Sequence, residues 1–291
     1  MSDSMHEVCL LCGGKNLKPM KRYSAFHLVK CASCGFVFSQ KIPTEQELID
    51  LYNHYGRDDY LSPVTVKRFH QILDALEKFR QTNNLIDVGC GIGYFLEVAK
   101  ERGWNVYGTE FTDDAVRICR DKGIMMHQGK LDPENYEPHS FDVVISIEVI
   151  EHINNPLEET RNFKSILRTG GCIYLTTPNF NALSRIILKE KWNVLAYPEH
   201  LCYYSPKTIR RLFKTQNFSK AKIETTGISI TRMKSSMSQS HQTGIAANSE
   251  DEKLRSAIES NRALRLIKAV INRTLTFMHS GDNLKATFIS K

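Results

Sequence analysis

The chain has 291 residues, of which 41% are hydrophobic and 24% are charged, and its formal net charge is +7. This composition is ordinary for a globular protein, and the length accommodates one α/β catalytic domain with a small accessory module. No apolar run is long enough to span a membrane, and the polar N-terminus lacks the apolar core of a secretion signal. We therefore expect a cytoplasmic protein. The modest positive charge favours an anionic substrate or surface and does not by itself indicate nucleic acid.

Four of the eight cysteines form two C-x2-C pairs near the N-terminus: Cys9, Cys12, Cys31 and Cys34. The interval between the pairs matches the zinc spacing of this arrangement, and four thiolates around Zn²⁺ make a closed, structural site. The sequence thus predicts a zinc-ribbon module over residues 1–42. An iron site of the same geometry and a redox-active thiol pair are the alternatives. The other cysteines are scattered, which favours thiols over a disulfide framework.

The rest of the chain alternates between predicted strands and helices, and this alternation predicts a mainly parallel sheet covered on both faces. The predicted strands are 85–88, 105–109, 124–127, 141–147, 172–177, 221–230 and 283–290. The predicted parts of the chain are a helical cap (43–80), a core (81–234), an insert (235–279) and a final core strand (280–291).

The insert is predicted to interrupt the hairpin of the last two strands. A polar loop at residues 235–249 precedes one long helix over Glu250–Met278. No acidic residue lies between Arg262 and Arg273 in this helix. One interpretation is a helix that covers the core and exposes a basic face. The alternatives are a lid, a dimer contact, or peripheral contact with an anionic membrane through residues 250–278.

A glycine-rich turn, Asp87-Val88-Gly89-Cys90-Gly91-Ile92-Gly93, joins a predicted buried strand to a predicted helix. Glycines let the chain turn tightly and let a ligand approach the backbone, at the carboxyl end of the strand where ligands of parallel sheets bind. Glu110 ends the next strand, where a carboxylate can accept hydrogen bonds from both hydroxyls of a ribose. The G-x-G-x-G spacing departs from the dinucleotide pattern G-x-G-x-x-G.

Three segments in order carry a family resemblance: Leu85–Gly93, Ser140–Ser146 and Arg168–Ile173. They resemble motif I, the fourth-strand motif and the Gly-Gly turn before the fifth strand of class I S-adenosylmethionine-dependent methyltransferases. The resemblance implies an α/β fold with a Rossmann-like seven-stranded methyltransferase sheet, here with the small N-terminal zinc-ribbon module of four cysteines. It also implies S-adenosylmethionine (SAM) as the cofactor.

The residues that this resemblance assigns to the cofactor lie along the carboxyl edge of the predicted sheet: Asp87, Gly89, Cys90, Gly91, Gly93, Glu110, Phe111, Leu131, Asp132 and Glu148. The glycines would hold the methionine moiety, Glu110 the ribose, and Phe111 the adenine ring. Leu131 stands where an acid often contacts the adenine amine, and Asp132 is the neighbouring residue that can substitute for it.

The segment Glu148-Val149-Ile150-Glu151-His152 follows the predicted strand 141–147. It resembles the Glu-x-x-Glu-His segment of ubiquinone-pathway O-methyltransferases and small-RNA 2′-O-methyltransferases, which is linked to Mg²⁺ or Mn²⁺. A later histidine completes some of those sites, and His200 is the candidate here. One interpretation is a divalent site of Glu148, Glu151, His152 and His200. A metal-free catalytic pocket with His152 as general base is a second, and a structural role is a third.

These motifs predict an enzyme that methylates an oxygen of a sugar, a glycan precursor or another hydroxylated small molecule. The order of module, helix and core resembles methyltransferases of saccharide and natural-product pathways, which favours that acceptor. The alternatives are an RNA 2′-O-methyltransferase, an N-methyltransferase of an amino sugar, and a zinc-containing binding scaffold without enzyme activity. Basic and aromatic residues interleave in the cysteine module, which suits either nucleic acid or an anionic sugar nucleotide.

Overall fold

The structure is a computed structural model that describes residues 4–53, 60–228 and 250–291. Its strands, in chain order, are β1 (Leu17–Pro19), β2 (Leu28–Cys31), β3 (Val37–Ser39), β4 (Asn84–Val88), β5 (Asn105–Glu110), β6 (Met125–Gln128), β7 (Phe141–Ile147), β8 (Leu167–Pro178), β9 (Cys202–Tyr203), β10 (Phe218–Thr226) and β11 (Asn283–Ser290). The helices are α1 (Glu45–Asn53), α2 (Pro63–Leu76), α3 (Tyr94–Glu101), α4 (Asp113–Asp121), α5 (Pro156–Ile166), α6 (Leu183–Leu188), α7 (Pro206–Thr215), α8 (Glu250–Ser260) and α9 (Arg262–Phe277).

Seven of these strands form one sheet in the order β10-β11-β8-β7-β4-β5-β6. The five strands from β8 to β6 are parallel, and β11 pairs antiparallel with both β8 and β10. The central strand β7 is buried along nearly its whole length, as expected where helices cover both faces of a parallel sheet. The predicted seven-stranded α/β fold is confirmed.

The two faces of the sheet have different covers. On one face, Ile72 and Leu73 of α2 pack with Phe95 and Leu96 of α3 against the strands. On the other face, Phe163 of α5 and residues of α7 pack with the cysteine module. Residues 54–59 of the predicted cap lie outside the described residues, and contact of the cap with the cofactor stays a prediction.

The fifth strand of the core begins earlier than predicted. β8 starts at Leu167, and residues 168–171 bulge out of its ladder with β7, whose register passes from Phe141↔Leu167 to Val143↔Cys172. Gly170 has a φ of 80°, and a Cβ on Gly171 would lie 3.0 Å from the carbonyl oxygen of Asp142. Residues 168–171 can form this bulge because glycine tolerates the left-handed conformation at 170 and the close approach of the main chain at 171.

The cysteine module is built into the catalytic core. Its strands β1, β2 and β3 form a sheet whose fourth strand is β9, from the segment between β8 and α7. Phe36 and Phe38 pack in one hydrophobic cluster with Ile86 and Val88 of β4. A second cluster joins Tyr23 to Trp192. The boundary at residue 42 stays a prediction, but burial of apolar surface does not stop there.

The predicted single helix over Glu250–Met278 is wrong. It is divided into α8 and α9 at Asn261, whose side chain accepts hydrogen bonds from the N–H groups of Ala263 and Leu264 and so caps α9. Asn at this position favours a helix start over helix continuation. The predicted loop 235–249 lies outside the described residues. Within the described residues, no helix combines the length and apolarity that a membrane span requires.

Candidate active site

The glycine-rich turn after β4 is held open by its backbone conformation. Gly89, Gly91 and Gly93 have φ values of 73°, 55° and 81°, which only glycine adopts readily. A Cβ on Gly89 would lie 2.6 Å from Val149 Cγ2, and one on Gly93 would lie 2.7 Å from Ile124 Cδ1. A Cβ on Gly91 would meet no atom within 4 Å. The first and third glycines thus permit packing, and the second borders open space in which a ligand can lie.

Two carboxylates lie beside this turn. Glu110, at the end of β5, accepts hydrogen bonds from the N–H groups of Gly91 (3.0 Å) and Phe111 (2.7 Å). Asp87 is buried, and its Oδ1 atom has no hydrogen-bond partner among the described residues. Burial, with the negative charge of Glu110, raises the pKa of Asp87 to about 7. An unsatisfied acid behind an open glycine turn is typical of a site that binds a polar ligand.

The remaining predicted cofactor residues differ in position. Phe111 is exposed at the carboxyl edge, and Cys90 packs its sulfur 3.9 Å from the sulfur of Met126. Asp132 is exposed and caps a 3₁₀ turn by accepting the N–H of Glu134 (3.0 Å). Leu131 requires correction: its side chain is 0% exposed in the hydrophobic core, so only its main chain could contact adenine.

Three of the four predicted divalent-site residues converge. The ligand atoms of Glu151, His152 and His200 all lie within 4.8 Å of one another. Glu151 and His152 belong to a 3₁₀ turn directly after β7, and His200 directly precedes the segment that enters β9. The two imidazole rings meet edge to face with centroids 4.8 Å apart.

Both histidines are oriented by main-chain carbonyl groups. Nδ1 of His152 lies 2.7 Å from the carbonyl oxygen of Glu199, and Nδ1 of His200 lies 2.6 Å from that of Val194. Because a carbonyl oxygen only accepts, each Nδ1 carries the hydrogen, and in the neutral ring Nε2 keeps its lone pair. Histidine ligands of metals are commonly held in this way.

Glu148 is not part of this convergence, and its inclusion in the divalent site is corrected. Its φ of 55° lies in the left-handed region, and its side chain is exposed, whereas Glu151 is buried. Its Oε1 atom accepts a hydrogen bond from Thr176 Oγ1 at 2.7 Å.

Glu151, by contrast, is only 2% exposed and accepts a hydrogen bond from Thr177 Oγ1 at 2.9 Å. Burial, with the charges of Glu148 and Glu199, raises the pKa of Glu151 well above its usual range. Sequence analysis missed Thr176, Thr177 and Glu199. The two threonines could have been found, because they end the strand next to β7 and so reach the same edge of the sheet.

The four cysteines of the module also converge. Cys9 Sγ lies 3.6 Å from Cys34 Sγ, and Cys12 Sγ lies 3.6 Å from Cys31 Sγ. These separations are too long for disulfides, and they approach the roughly 3.8 Å between thiolates of a tetrahedral site with Zn–S bonds of about 2.3 Å. Gly13 and Gly35, with φ values of 68° and 79°, let each pair's turn close. The cluster therefore has the geometry to hold a zinc ion.

Comparison with known proteins identifies the family. Residues 53–223 match the family model described as a methyltransferase domain. The chain belongs to the methyltransferase-domain family. The predicted class, an S-adenosylmethionine-dependent methyltransferase of class I, is confirmed at this level, and the family supports SAM as the cofactor.

Curated relatives with local similarity include two named ubiquinone biosynthesis O-methyltransferases. The protein from Nitrosomonas europaea is 26% identical over 131 residues, covering 43% of this chain and 54% of the relative. That from Nitrosospira multiformis is 30% identical over 108 residues, covering 35% and 45%. The chain thus spans about half the length of the curated relatives it matches.

Solved structures show the same fold at low sequence identity. A SAM-dependent methyltransferase from Archaeoglobus fulgidus has a TM-score of 0.53 at 17% identity, with 84% of this chain and 100% of that chain covered. Phosphoethanolamine N-methyltransferase 2 from Haemonchus contortus has a TM-score of 0.54 at 18% identity, with 87% and 61% covered. These likenesses establish the fold.

The buried acid behind the glycine turn predicts a pH dependence of stability. The folded protein raises the pKa of Asp87 from its ordinary 3.8 to about 7. The folded state therefore binds the proton more tightly, and its stability falls as the pH rises through this window. We expect Asp87→Asn to remove roughly 2–3 kcal/mol of the stability difference between about pH 5 and about pH 8 in ligand-free protein.

The measurement is urea unfolding of wild type and Asp87→Asn at both pH values. Asp114→Asn, which changes an exposed carboxylate on α4, is the control and should keep the wild-type dependence. Parallel stability curves for wild type and Asp87→Asn would contradict the assignment.

Proposed function

We propose that the protein transfers the methyl group of SAM to a hydroxyl oxygen of a small acceptor, such as a sugar or a glycan precursor. The observation that carries the proposal is the convergence of Glu151, His152 and His200 at the carboxyl edge of the sheet. Val149, two residues before Glu151, contacts the glycine turn at Gly89. The convergent side chains therefore lie beside the predicted cofactor, where an acceptor must bind. The relatives named as O-methyltransferases support oxygen as the acceptor atom.

The chain's own residues can provide positioning and proton transfer. In an in-line displacement, the acceptor oxygen forms a bond to the methyl carbon as the bond from that carbon to the sulfonium breaks. The products are the methyl ether and S-adenosylhomocysteine, and the hydroxyl proton must leave. Because its Nδ1 is held by the Glu199 carbonyl, His152 presents the basic Nε2 atom and can accept that proton.

The same three side chains fit a divalent cation. Two imidazoles and one carboxylate, with both Nδ1 atoms bound to carbonyl oxygens, form a donor set for a borderline ion and suit Mn²⁺ better than Mg²⁺. Such an ion would lower the pKa of a bound acceptor hydroxyl. Thr177 would orient Glu151 by its hydrogen bond to Oε2.

Calorimetry on metal-stripped protein tests both parts of the proposal. We expect S-adenosylhomocysteine to bind with micromolar affinity, because the glycine turn and Glu110 do not depend on a metal. We expect Mn²⁺ to bind separately, with at least about tenfold weaker affinity in Glu151→Gln and His200→Ala. His70→Ala, which removes an exposed histidine of α2, is the matched control.

The two ligands give distinguishable results. Failure of S-adenosylhomocysteine to bind would overturn the methyltransferase proposal. Unchanged Mn²⁺ affinity in both triad variants would overturn the metal site and leave His152 as the base. Methylation of amines with no methylation of hydroxyl acceptors would show that nitrogen, not oxygen, is the acceptor atom.

We also propose that Cys9, Cys12, Cys31 and Cys34 bind one structural zinc ion. Because the module shares strand β9 with the segment that carries His200, losing the ion should disturb both the module and the triad. We expect Cys31→Ser to lose the zinc, to lower the melting temperature of the whole chain, and to weaken Mn²⁺ binding at the triad.

Metal analysis of the purified protein, with thermal unfolding, is the measurement. Ser33→Ala, an exposed change in the same turn, should keep one zinc per chain. Stoichiometric iron in the wild type, or full zinc content in Cys31→Ser, would refute the assignment.

A further inference from the structure

A cavity of about 480 Å³ lies on the face of the sheet that α2 covers. Its walls come from α2, α8 and α9, and its floor comes from β8, β10 and β11. Its charged lining residues are Lys67, Arg68, Lys78, Lys222, Glu224, Glu259, Lys268 and Lys285. Six cations and two carboxylates give this cavity a strong positive charge.

The two carboxylates are already paired. Glu259 forms ion pairs of 2.8 Å with both Lys67 and Lys268. Glu224 forms one of 2.8 Å with Lys222. Within the described part of the chain, neither Arg68 nor Lys285 has a carboxylate at ion-pair distance. Glu224 is the cross-strand neighbour of Lys285 in the β10–β11 ladder, but its ion pair is with Lys222, so the six cations of the cavity still outnumber its two carboxylates.

The excess of positive charge affects the pKa of Lys285. Burial on the sheet and the positive charge of Arg68 lower the pKa of Lys285 to about 8. Lys285 is partly buried, and the charge of the exposed Arg68 beside it destabilises the folded protein unless an anion compensates the two cations. Arg68 offers a planar fork of N–H donors that suits phosphate oxygens, and Lys285 adds a point charge.

Lys285 connects the cavity with the carboxyl end of β8. Lys285 lies opposite Thr176 in the β11–β8 ladder, so the two side chains share one face at about 5 Å between Cβ atoms. Thr176 donates its hydrogen bond to Glu148, at the carboxyl end of β7. An anion between Arg68 and Lys285 would thus lie one residue pair from the candidate acceptor site.

We propose that Arg68 and Lys285 bind a phosphoryl group, and that this group is the phosphate or diphosphate of the methyl acceptor. The role of the phosphoryl compound as acceptor rests on the proposed function, whereas anion binding by the cavity does not. Tyr174 on the floor and Val64 on the wall provide surface for the rest of the ligand.

Calorimetry of the full chain with inorganic pyrophosphate and with inorganic phosphate tests this site. We expect Arg68→Gln and Lys285→Gln each to weaken binding by about tenfold or more, because each removes one of two cations that lack a carboxylate partner. Lys214→Gln removes an exposed cation outside the cavity and should bind like wild type. S-adenosylhomocysteine affinity should be equal in all four proteins.

Absence of binding by either anion to wild type, or unchanged affinity in both cavity variants, would overturn the site. As a check on folding, pyrophosphate should raise the melting temperature of wild type more than that of Lys285→Gln at the same concentration. If S-adenosylhomocysteine fails to bind while pyrophosphate binding depends on Arg68 and Lys285, the anion site stands and the methyltransferase proposal falls.

A separate observation concerns α9, in which Leu275 is buried but most of the other apolar side chains are exposed. Its polar side contacts the body: Asn272 accepts the N–H of Gly227 at 2.9 Å, and Thr276 donates to the carbonyl oxygen of Thr225 at 2.9 Å. Its apolar side faces solvent, with Leu266, Val270 and Phe277 exposed by 63%, 67% and 88%. Surface helices normally bury the apolar stripe.

A second helix extends this apolar surface. The N–H of Leu183, at the start of α6, donates to the carbonyl oxygen of Ser280, just after α9. One turn later, Ile186 and Ile187 are both more than half exposed. Exposed cations occur on or directly after the same two helices: Arg262, Arg265 and Arg273 on α9, and Lys189 and Lys191 after α6. An apolar face on helices that also carry exposed cations is complementary to an anionic lipid surface.

We infer that α6 and α9 dock the protein onto an anionic membrane surface. We expect the chain to co-sediment with vesicles of phosphatidylglycerol and phosphatidylcholine and much less with phosphatidylcholine alone. The double variant Leu266→Ser/Phe277→Ser should lose binding by about tenfold or more, since it removes two large apolar side chains that would be buried in the lipid surface.

Met125→Ser, an exposed apolar change on β6, is the control and should sediment like wild type. Lack of sedimentation with the anionic vesicles, or normal sedimentation of the double variant, would overturn the inference. So would a dimer in analytical ultracentrifugation that the same double variant dissociates, because a second copy would then cover the patch.

Discussion

The main-chain N–H and carbonyl groups of Leu201 join the cysteine module to the convergent triad, and the geometry of the candidate site depends on them. The carbonyl oxygen of Leu201 accepts the N–H of Ser39 at 2.8 Å, and its N–H donates to the carbonyl oxygen of Glu151 at 2.8 Å. His200 is the preceding residue. One main-chain unit therefore fixes Glu151 and His200 relative to each other and fixes both relative to β3 of the module. Because buried main-chain hydrogen bonds are costly to break, these parts should move together.

Neighbouring contacts reinforce the same junction. The hydroxyl group of the buried Tyr204 lies 3.5 Å from the carbonyl oxygen of Ile150. The thiol of Cys202 donates to the carbonyl oxygen of Ile153, with 3.3 Å between sulfur and oxygen. Near the start of the described chain, Nε2 of His6 lies 2.7 Å from Oδ1 of Asn154. The 3₁₀ turn that carries Glu151 and His152 is thus enclosed by the module and by residues 201–204. The cysteine module can in this way hold the side chains of the candidate site in place without contacting a substrate itself.

The sequence predicted features whose causes are local. The apolar run Phe141–Ile147 and the final strand Asn283–Ser290 match the structure residue for residue, and the glycine turn lies at the end of β4. Strand β9 was missed because two residues have no periodicity, and they become a strand only by pairing with β3 from the distant module. Glu148 was misplaced because its spacing from His152 says nothing about a φ of 55°. The amphipathic pattern of α9 was visible, but which side meets the body depends on tertiary contacts with β10.

The end of β8 divides the candidate site into two halves. Successive side chains of a strand point to opposite faces, so Thr176 and Thr177 diverge. Thr176 meets Glu148 on the face of the basic cavity, whereas Thr177 meets Glu151 on the face of the module. An acceptor whose phosphoryl group lies between Arg68 and Lys285 must therefore cross the carboxyl end of β8 to bring a hydroxyl to His152. That crossing favours an extended acceptor. It also places Glu148 beside the part of the acceptor between the phosphoryl group and the reacting hydroxyl, where the carboxylate would select for hydroxyl groups by accepting their hydrogen bonds.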